Sequence, residues 1–100
     1  MRVQVHMLAF EEKPNVIRMV TIPNTDRVSL DVVFYYGQND FAFGPEKNTT
    51  CSVSVGDVIE LDDGSLWLVK SFGFRNITRE QFEDWKALDR HDRCFHELVC

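Results

Sequence analysis

An Asp63-Gly64 pair between two β-rich runs is the feature that most restricts what this chain can fold into. It lies in the stretch DVIELDDGSLWLVK, and such a pair is the strongest short-range signal for a β-hairpin. A two-residue loop at 63–64 predicts two cross-strand pairs: Leu61 with Leu66 and Ile59 with Leu68. Because side chains alternate across a strand, these four would share one apolar face. The opposite face is mixed in character, so we expect it to be covered only in part.

Four further segments read as strands or turns. Alternating residues over 2–10 and the β-branched run over 16–22 predict a first hairpin, with its turn at the Pro14-containing stretch EEKPN. Cys51, Val53 and Val55 alternate with serines, which predicts a short strand that meets a turn at 56–57. SFGFRNI, residues 71–77 after the hairpin, predicts that the chain continues as a bulged or kinked strand around Gly73.

A first helix is predicted over residues 30–36, where apolar side chains recur at i, i+3 and i+4. Ser29 or Asp26 can cap its start, and Gly37 stands where a left-handed residue ends many helices. The run DVVFYY also has high β propensity, so a strand is the alternative interpretation.

A second helix is predicted to begin after Thr78, in TREQFEDWKALDR. Thr78 and Gln81 have the spacing of a capping box, and Arg79 with Glu83 forms an i,i+4 pair. Its apolar stripe consists of Phe82, Trp85 and Leu88.

These elements predict one α+β domain over residues 1–100, with an antiparallel sheet of about five strands and two helices. The sheet could curl into a small open barrel. A composition of 44% hydrophobic and 27% charged residues is that of an ordinary globular protein.

A net charge of −5 argues against direct binding of nucleic acid or of an anionic membrane surface. No apolar run approaches the length of a secretory signal or of a membrane span. The three cysteines are an odd number in a chain without such a signal. We therefore predict a cytoplasmic protein with reduced thiols.

Three stretches resemble a known group of proteins. VFYYGQNDF, then SVSVGDVIEL with its DG turn, then LVKSFGF are similar to the YodL-like proteins, small proteins carried by phages, plasmids and integrative elements. In that group an S-x-S-V-x-D-V stretch also precedes a strand that ends in SFGF. The resemblance covers roughly residues 28 to 78, and it implies a mobile genetic element as the origin without implying any catalytic residue.

Two groups of residues suggest enzymatic or metal chemistry, and we favour neither. The tail contains four potential zinc ligands: His91, Cys94, His96 and Cys100. Their spacing lacks the paired C-x2–4-C of structural zinc sites. Cys51 alternates with valines, as a buried thiol does, and no base or electropositive setting accompanies it. The sequence thus predicts no enzyme, no metal and no cofactor.

Candidate partner-binding residues form two groups. In the aromatic run 34–44 we expect a buried core of Phe34, Phe41 and Phe43. Tyr35 would be exposed there, and it could form an interaction surface with Asn39 and Asp40. An acidic patch of Asp57, Glu60, Asp62 and Asp63 could meet a basic surface; the alternative is a solvated hairpin tip.

These observations predict a small mobile-element protein that acts by binding another protein. The sharper hypothesis is an inhibitor of a host defence nuclease, of the anti-CRISPR or anti-restriction type, whose partner has a basic nucleic-acid-binding surface. The alternative is a small-ligand or nucleotide-binding module, and a zinc-dependent regulator is a third possibility.

Overall fold

The computed structural model describes residues 2–8, 17–23, 29–38 and 52–88 and contains seven elements. In chain order they are β1 (Arg2–His6), β2 (Ile17–Thr21), α1 (Leu30–Tyr36), β3 (Val58–Glu60), β4 (Leu66–Val69), β5 (Phe74–Ile77) and α2 (Arg79–Ala87). The five strands form a single sheet in the order β2-β1-β3-β4-β5, with every neighbouring pair antiparallel. The predicted α+β class is confirmed, and the sheet is open rather than barrel-like.

The two helices cover opposite faces of the sheet. One core cluster contains Val33 of α1 and the apolar side chains of the face beneath it: Val3, Val5, Met7, Val20, Ile22, Val53, Ile59 and Val69. The second contains Phe82 and Trp85 of α2 with Leu8, Val58, Leu66, Leu68 and Ile77. The central strands therefore bury apolar side chains on both faces, and the prediction of one core face and one mixed face was wrong.

The β3–β4 hairpin is confirmed, but its register differs by one residue from the prediction. Ile59 pairs with Trp67, and Leu61 donates its N–H to the carbonyl of Ser65, 3.0 Å away. The loop is therefore three residues long, and Gly64 takes its last position with φ +85°. A two-residue loop of type I′ needs positive φ at both positions, whereas this loop needs it only where glycine stands. Consequently Ile59 faces α1, whereas Leu66 and Leu68 face α2.

The chain after β4 reverses direction instead of continuing as a bulged strand. Lys70 donates its N–H to the carbonyl of Gly73 at 3.0 Å, and Val69 pairs with Phe74. Gly73 has φ +75°, a conformation that L side chains rarely adopt. SFGF is thus the turn into a separate strand, β5. The predicted strand around Val53 is likewise wrong for residues 52–54, which are irregular, and Cys51 lies outside the described residues.

Helix α1 begins and ends where the sequence predicts. The hydroxyl of Ser29 accepts the N–H of Val32 at 3.3 Å, which identifies Ser29 as the N-cap. Gly37 follows the last turn, but its φ of −78° is right-handed, so the predicted left-handed cap is wrong. The reason for glycine is space: a Cβ built on Gly37 would lie 2.4 Å from Cγ2 of Val53.

Helix α2 begins with the predicted capping box. The Thr78 hydroxyl accepts the Gln81 N–H at 3.0 Å, and the Gln81 side chain accepts the Thr78 N–H at 2.9 Å. Phe82 and Trp85 are buried, as predicted. The salt bridges differ from the prediction, because Arg79 lies 3.9 Å from Glu60 of β3 and Glu83 pairs with Lys86 at 3.2 Å.

Thr78→Ala is expected to lower the free energy of unfolding by about 1 kcal/mol, because it removes the oxygen that satisfies one N–H of the first turn. Urea denaturation followed by tryptophan fluorescence measures this change. Thr78→Ser keeps the acceptor and serves as the matched control. A Thr78→Ala protein as stable as Thr78→Ser would contradict a contribution from the cap.

Candidate functional site

Four large hydrophobic side chains of the described residues are exposed to solvent. They are Ile17, Tyr35, Val55 and Phe72. Ile17 lies on the edge strand β2 and pairs with His6, in a row that continues through Val58 to Leu68. We call three of these residues the apolar end: Tyr35 of α1, Val55 of the loop before β3 and Phe72 of the β4–β5 turn.

Phe72 is the most exposed of the three, with 90% of its surface accessible to solvent. It stands in the short turn closed by the 3.0 Å hydrogen bond from Lys70 to Gly73. A turn anchored by a strand on each side holds its backbone in place, so the ring is presented on an ordered support.

The segments that carry Val55 and Tyr35 contact β4 and β5 through neighbouring residues. Gly56, next to Val55, donates its N–H to the carbonyl of Val69 at 2.8 Å, one residue before the β4–β5 turn begins. The ring of Phe34 meets the ring of Phe74 edge-on, with 6.4 Å between the centroids. Tyr35 is the next residue of α1 after Phe34, whose ring contacts the first residue of β5. It is 49% exposed and Val55 is 41% exposed.

A polar groove lies at the opposite end of the sheet, beside the β3–β4 turn. Its volume is about 260 Å³. It is lined by Arg2, Gln4, Met19, Glu60, Leu61, Asp62 and Gly64, and we call it the hairpin groove. Strands β1 and β2 supply the first three of these side chains, and β3 with its turn supplies the others.

Glu60 is the most strongly positioned charge in the hairpin groove. Its Oε1 lies 2.9 Å from Nε2 of His6, and its Oε2 lies 3.9 Å from a guanidinium nitrogen of Arg79. The His6 ring in turn packs on Phe82 of α2 at a centroid distance of 4.7 Å. The carboxylate is only 25% exposed, so its orientation is set by contacts from β1 and α2.

The turn beside the groove is held by its own side chains. Asp63 Oδ1 accepts the N–H of Ser65 at 2.8 Å, and the Ser65 hydroxyl accepts Nε1–H of Trp67 at 3.0 Å. Hydrogen bonds from the Ser65 side chain and from its backbone N–H hold the pKa of the Asp63 carboxyl below its ordinary value. Asp63 and Asp62 are exposed, so the tip of the hairpin is acidic.

Asp57 is not part of this acidic surface, although the sequence places it there. Its side chain is buried, and its two carboxylate oxygens accept the N–H groups of Leu8 and Ser54, both at 2.8 Å. The residue joins the end of β1 to the loop before β3, which is a structural role.

The predicted partner-binding residues are thus divided among several places. Tyr35 lies at the apolar end, whereas Glu60, Asp62 and Asp63 lie at or beside the hairpin groove. Asn39 and Asp40 lie outside the described residues, as do Phe41 and Phe43. Phe34 is partly buried against the core beneath α1.

Val55 and Phe72 are surface residues that the sequence interpretation missed. Val55 alternates with Val53, and that pattern indicates a strand whose two valines share a face. Phe72 follows the β-rich run of β4 and precedes Phe74 by two positions. This pattern favours a strand that continues through Phe72. The signal that could have located Phe72 is the glycine after it, since Gly73 at positive φ is typical of a turn.

Within the described part of the chain, no group of three or more His, Cys, Asp or Glu side chains is arranged to hold a metal ion. The predicted zinc ligands His91, Cys94, His96 and Cys100 lie outside it. Neither described helix has the length and apolar character needed to cross a membrane.

Comparison with known proteins adds no assignment. Scans against protein-family models, curated proteins and solved structures find no match to this chain. The resemblance of residues 28–78 to the YodL-like proteins therefore stays a prediction.

Proposed function

We propose that this protein acts by binding another protein through the apolar end. The observation that carries the proposal is the exposure of Phe72, 90% accessible in the hydrogen-bonded β4–β5 turn, with Tyr35 and Val55 exposed on segments that contact β5 and β4. Aromatic side chains are enriched at the centres of protein interfaces, where a few of them supply most of the affinity.

The energetics favour Phe72 as the anchor of such an interface. Transfer of a fully exposed phenylalanine side chain into an apolar pocket is worth about 1.5–3 kcal/mol. Because the β4–β5 turn already fixes the backbone, little conformational freedom remains to be lost on binding. Tyr35 adds contact area with a side chain that has few rotatable bonds.

The finer proposal is that the partner is a defence nuclease and that the protein is an inhibitor encoded by a mobile element. Two observations support it: the resemblance to the YodL-like proteins and the net charge of −5. The exposed Asp62 and Asp63 would approach a basic nucleic-acid-binding surface with favourable charge, which speeds encounter. A charge of −5 is small for mimicry of DNA, so inhibition by occlusion is the mechanism we favour.

Purified protein mixed with candidate nucleases is expected to lower their binding or cleavage of DNA. No change in either would count against this finer proposal.

A second candidate function is a small-ligand module, and the hairpin groove favours it. The groove brings charged and polar side chains from β1, β3 and one turn into a space of about 260 Å³. Pockets for drug-sized ligands and cofactors usually measure about 300–1,000 Å³, so a ligand smaller than a nucleotide fits better.

Phe72→Ala is expected to lower capture of the partner at least tenfold when tagged protein is used as bait in a lysate of cells that express it. The reason is that removal of an interface anchor typically costs more than about 2 kcal/mol of binding free energy. Quantitative mass spectrometry of the captured proteins measures the change.

Asp84→Asn is the matched control, since Asp84 is an exposed side chain of α2 away from the apolar end. It is expected to capture the same protein as the unaltered chain. Loss of the captured protein with both variants, or with neither, would overturn the assignment of the apolar end, provided that circular dichroism shows both variants folded.

A further inference from the structure

We propose that the partner supplies an extended acidic segment that pairs with β5 as a sixth strand of the sheet. This inference rests on the protein-binding function proposed above, and it specifies how the partner is held. β5 ends the strand order β2-β1-β3-β4-β5, and no other strand of the described chain lies beyond it. The exposed Phe72 stands two residues before Phe74, the first residue of β5, so such a segment would lie beside one residue of the apolar end.

The hydrogen-bond pattern of the β4–β5 pair shows which backbone groups of β5 face outward. Lys70 donates its N–H to the carbonyl of Gly73 at 3.0 Å, so these two residues form a hydrogen-bonded pair. Hydrogen-bonded and non-hydrogen-bonded pairs alternate along antiparallel strands. Counted from this pair, Phe74 and Asn76 fall in non-hydrogen-bonded pairs with β4. Their N–H and C=O groups therefore point away from β4, and we call these groups the outer edge of β5.

The outer edge lacks several devices that commonly protect a strand edge. Such edges are often covered by another segment, bent by a bulge or interrupted by proline. β5 contains no proline, and its register with β4 runs without a bulge from Phe74 to Ile77. Asn76 is exposed, and its side-chain amide donates to the carbonyl of Leu66 in β4 at 3.1 Å. The backbone of an extended segment can therefore continue the ladder of hydrogen bonds at this edge.

Two positively charged side chains lie side by side at this strand. Arg75 pairs with Leu68, which packs beneath α2, so Arg75 projects to that face of the sheet. Lys70 follows Leu68 by two residues and projects to the same face. Such diagonal neighbours are within reach of long side chains. A strand added beside β5 would place every second side chain on this face, next to Arg75.

Neither of these two cations takes part in an ion pair within the described residues. The ion pairs on the α2 face join Glu60 with His6 and Arg79, and Glu83 with Lys86. The remaining carboxylates of α2, those of Glu80 and Asp84, are exposed and pair with neither cation. A carboxylate of the added strand opposite Arg75 would form a cross-strand pair of opposite charge, which stabilises a sheet. This charge complementarity is the reason for an acidic segment.

The alternate side chains of the added strand would meet an apolar surface. Phe74 is partly buried against the core beneath α1, and its ring meets the ring of Phe34 edge-on. An apolar side chain opposite Phe74 would extend this core by one residue. The segment that fits best therefore alternates apolar and acidic residues.

A second copy of this chain fits the outer edge poorly. An antiparallel pairing that uses both outward-facing residues of each copy sets Phe74 against Asn76. The same pairing sets Arg75 directly against Arg75 of the other copy. Like charges directly opposite each other destabilise a sheet. The strand is thus better suited to a different chain that carries the opposite charge.

Titration of ¹⁵N-labelled protein with the acetylated and amidated peptide Thr-Val-Glu-Val-Glu-Thr, followed by NMR, tests the proposal. Saturable shifts are expected for the backbone amides of Phe74 and Asn76, which would gain hydrogen-bond partners. Smaller shifts are expected for Arg75 and Ile77, whose amides face β4. The counterpart Thr-Val-Lys-Val-Lys-Thr is expected to bind more weakly by roughly tenfold. No saturable shift at the outer edge, or equal binding of both peptides, would overturn the proposal.

Two substitutions at position 76 separate backbone pairing from side-chain contact. Asn76→Pro removes an outward N–H, and proline is tolerated on edge strands where the N–H faces solvent. Asn76→Ala is the matched control, because both variants lose the amide that binds the Leu66 carbonyl. Proline is expected to weaken binding of the glutamate peptide by roughly tenfold, and alanine is expected to leave it unchanged. Equal binding by the two variants, each folded by circular dichroism, would contradict backbone pairing.

Reversal of the charge at position 75 tests the acidic preference without proline. Arg75→Glu is expected to invert the order of the two peptides, so that the lysine peptide binds more tightly by roughly tenfold. An unchanged order would exclude Arg75 as the source of the preference and sink the proposal. Sedimentation of the unaltered protein alone is expected to show no dimer that Asn76→Pro dissociates. Such a dimer would assign the outer edge to a second copy of this chain instead.

Failure of this inference and failure of the proposed function give different results. Phe72→Ala leaves the outer edge intact, so it should still bind the glutamate peptide even when it no longer captures a protein. Capture that is lost with Phe72→Ala but kept with Asn76→Pro would overturn the added strand and leave the apolar end as the partner surface. Peptide binding at β5 combined with capture that is indifferent to Phe72→Ala would overturn the apolar end and leave the strand edge.

Discussion

Replacement of Asp57 by alanine is expected to lower the free energy of unfolding by about 2–6 kcal/mol, the largest effect of any substitution considered. The carboxylate is 1% exposed and accepts the N–H groups of Leu8 and Ser54, each at 2.8 Å. Alanine leaves the buried Leu8 N–H and the partly buried Ser54 N–H without this acceptor, at a cost of up to about 1–3 kcal/mol each. Urea denaturation monitored by circular dichroism measures the change.

Two controls separate this effect from a loss of charge. Asp57→Asn keeps one side-chain oxygen, so it should be destabilised less than Asp57→Ala. Asp62→Asn alters an exposed carboxylate of the neighbouring turn and should change stability by less than about 0.5 kcal/mol. Equal stabilities for Asp57→Ala and Asp62→Asn would show that the buried hydrogen bonds contribute nothing.

Gly37→Ala is expected to destabilise the protein by about 1–3 kcal/mol, although alanine is ordinarily preferred over glycine in a helix. The φ of −78° is open to any residue, so backbone strain is not the cause. The added methyl group would lie 2.4 Å from Cγ2 of Val53, whose N–H donates to the Gly37 carbonyl at 3.0 Å. The end of α1 and the loop before β3 would have to separate.

A double-mutant cycle tests this explanation, with thermal and urea denaturation as the measurement. Val53→Ala removes Cγ2 and, alone, leaves a cavity that costs stability. In its presence the closest contact is gone, and only the tighter-than-usual distances to Val53 Cβ (3.0 Å) and the Val33 carbonyl oxygen (3.1 Å) remain, so Gly37→Ala should cost clearly less than it does beside Val53. Additive effects of the two substitutions would contradict a steric origin, because residues that clash must be coupled.

Local sequence signals succeed in this protein where a few neighbouring residues decide the structure. The capping box of Thr78 and Gln81 involves side chains three positions apart, and both of its hydrogen bonds are formed. The N-cap at Ser29 follows the same logic. The β3–β4 hairpin was also predictable, since Gly64 permits the tight turn. The register of this hairpin was not predictable, because a two-residue and a three-residue loop both suit these residues. The packing of side chains on both faces of the sheet determines which loop forms.

Long-range packing accounts for the features that the sequence could not reveal. Position 37 requires glycine because the Val53 side chain lies against it. Position 57 requires a carboxylate because, among other contacts, it accepts the N–H of Leu8, which is 49 positions away in the chain. From the sequence alone, an acidic residue such as Asp57 is interpreted as a surface residue. Only the fold shows which backbone N–H groups donate hydrogen bonds to its carboxylate. The three residues of the apolar end come from separate segments of the chain, and the periodicity within one segment does not relate it to the others. Of these three residues only Tyr35 was predicted to be exposed.

The position of β1 between β2 and β3 has a consequence for synthesis on the ribosome. The first strand of the described chain lies in the interior of the sheet, and its His6 meets a residue 54 positions later. Translation therefore delivers the β1–β2 hairpin well before β3 can emerge from the exit tunnel. During that interval one edge of β1 lacks the strand that will cover it, and exposed strand edges recruit other chains. Nascent chains halted before Val58 should accordingly engage holdase chaperones, and release should follow once the third strand has joined the sheet.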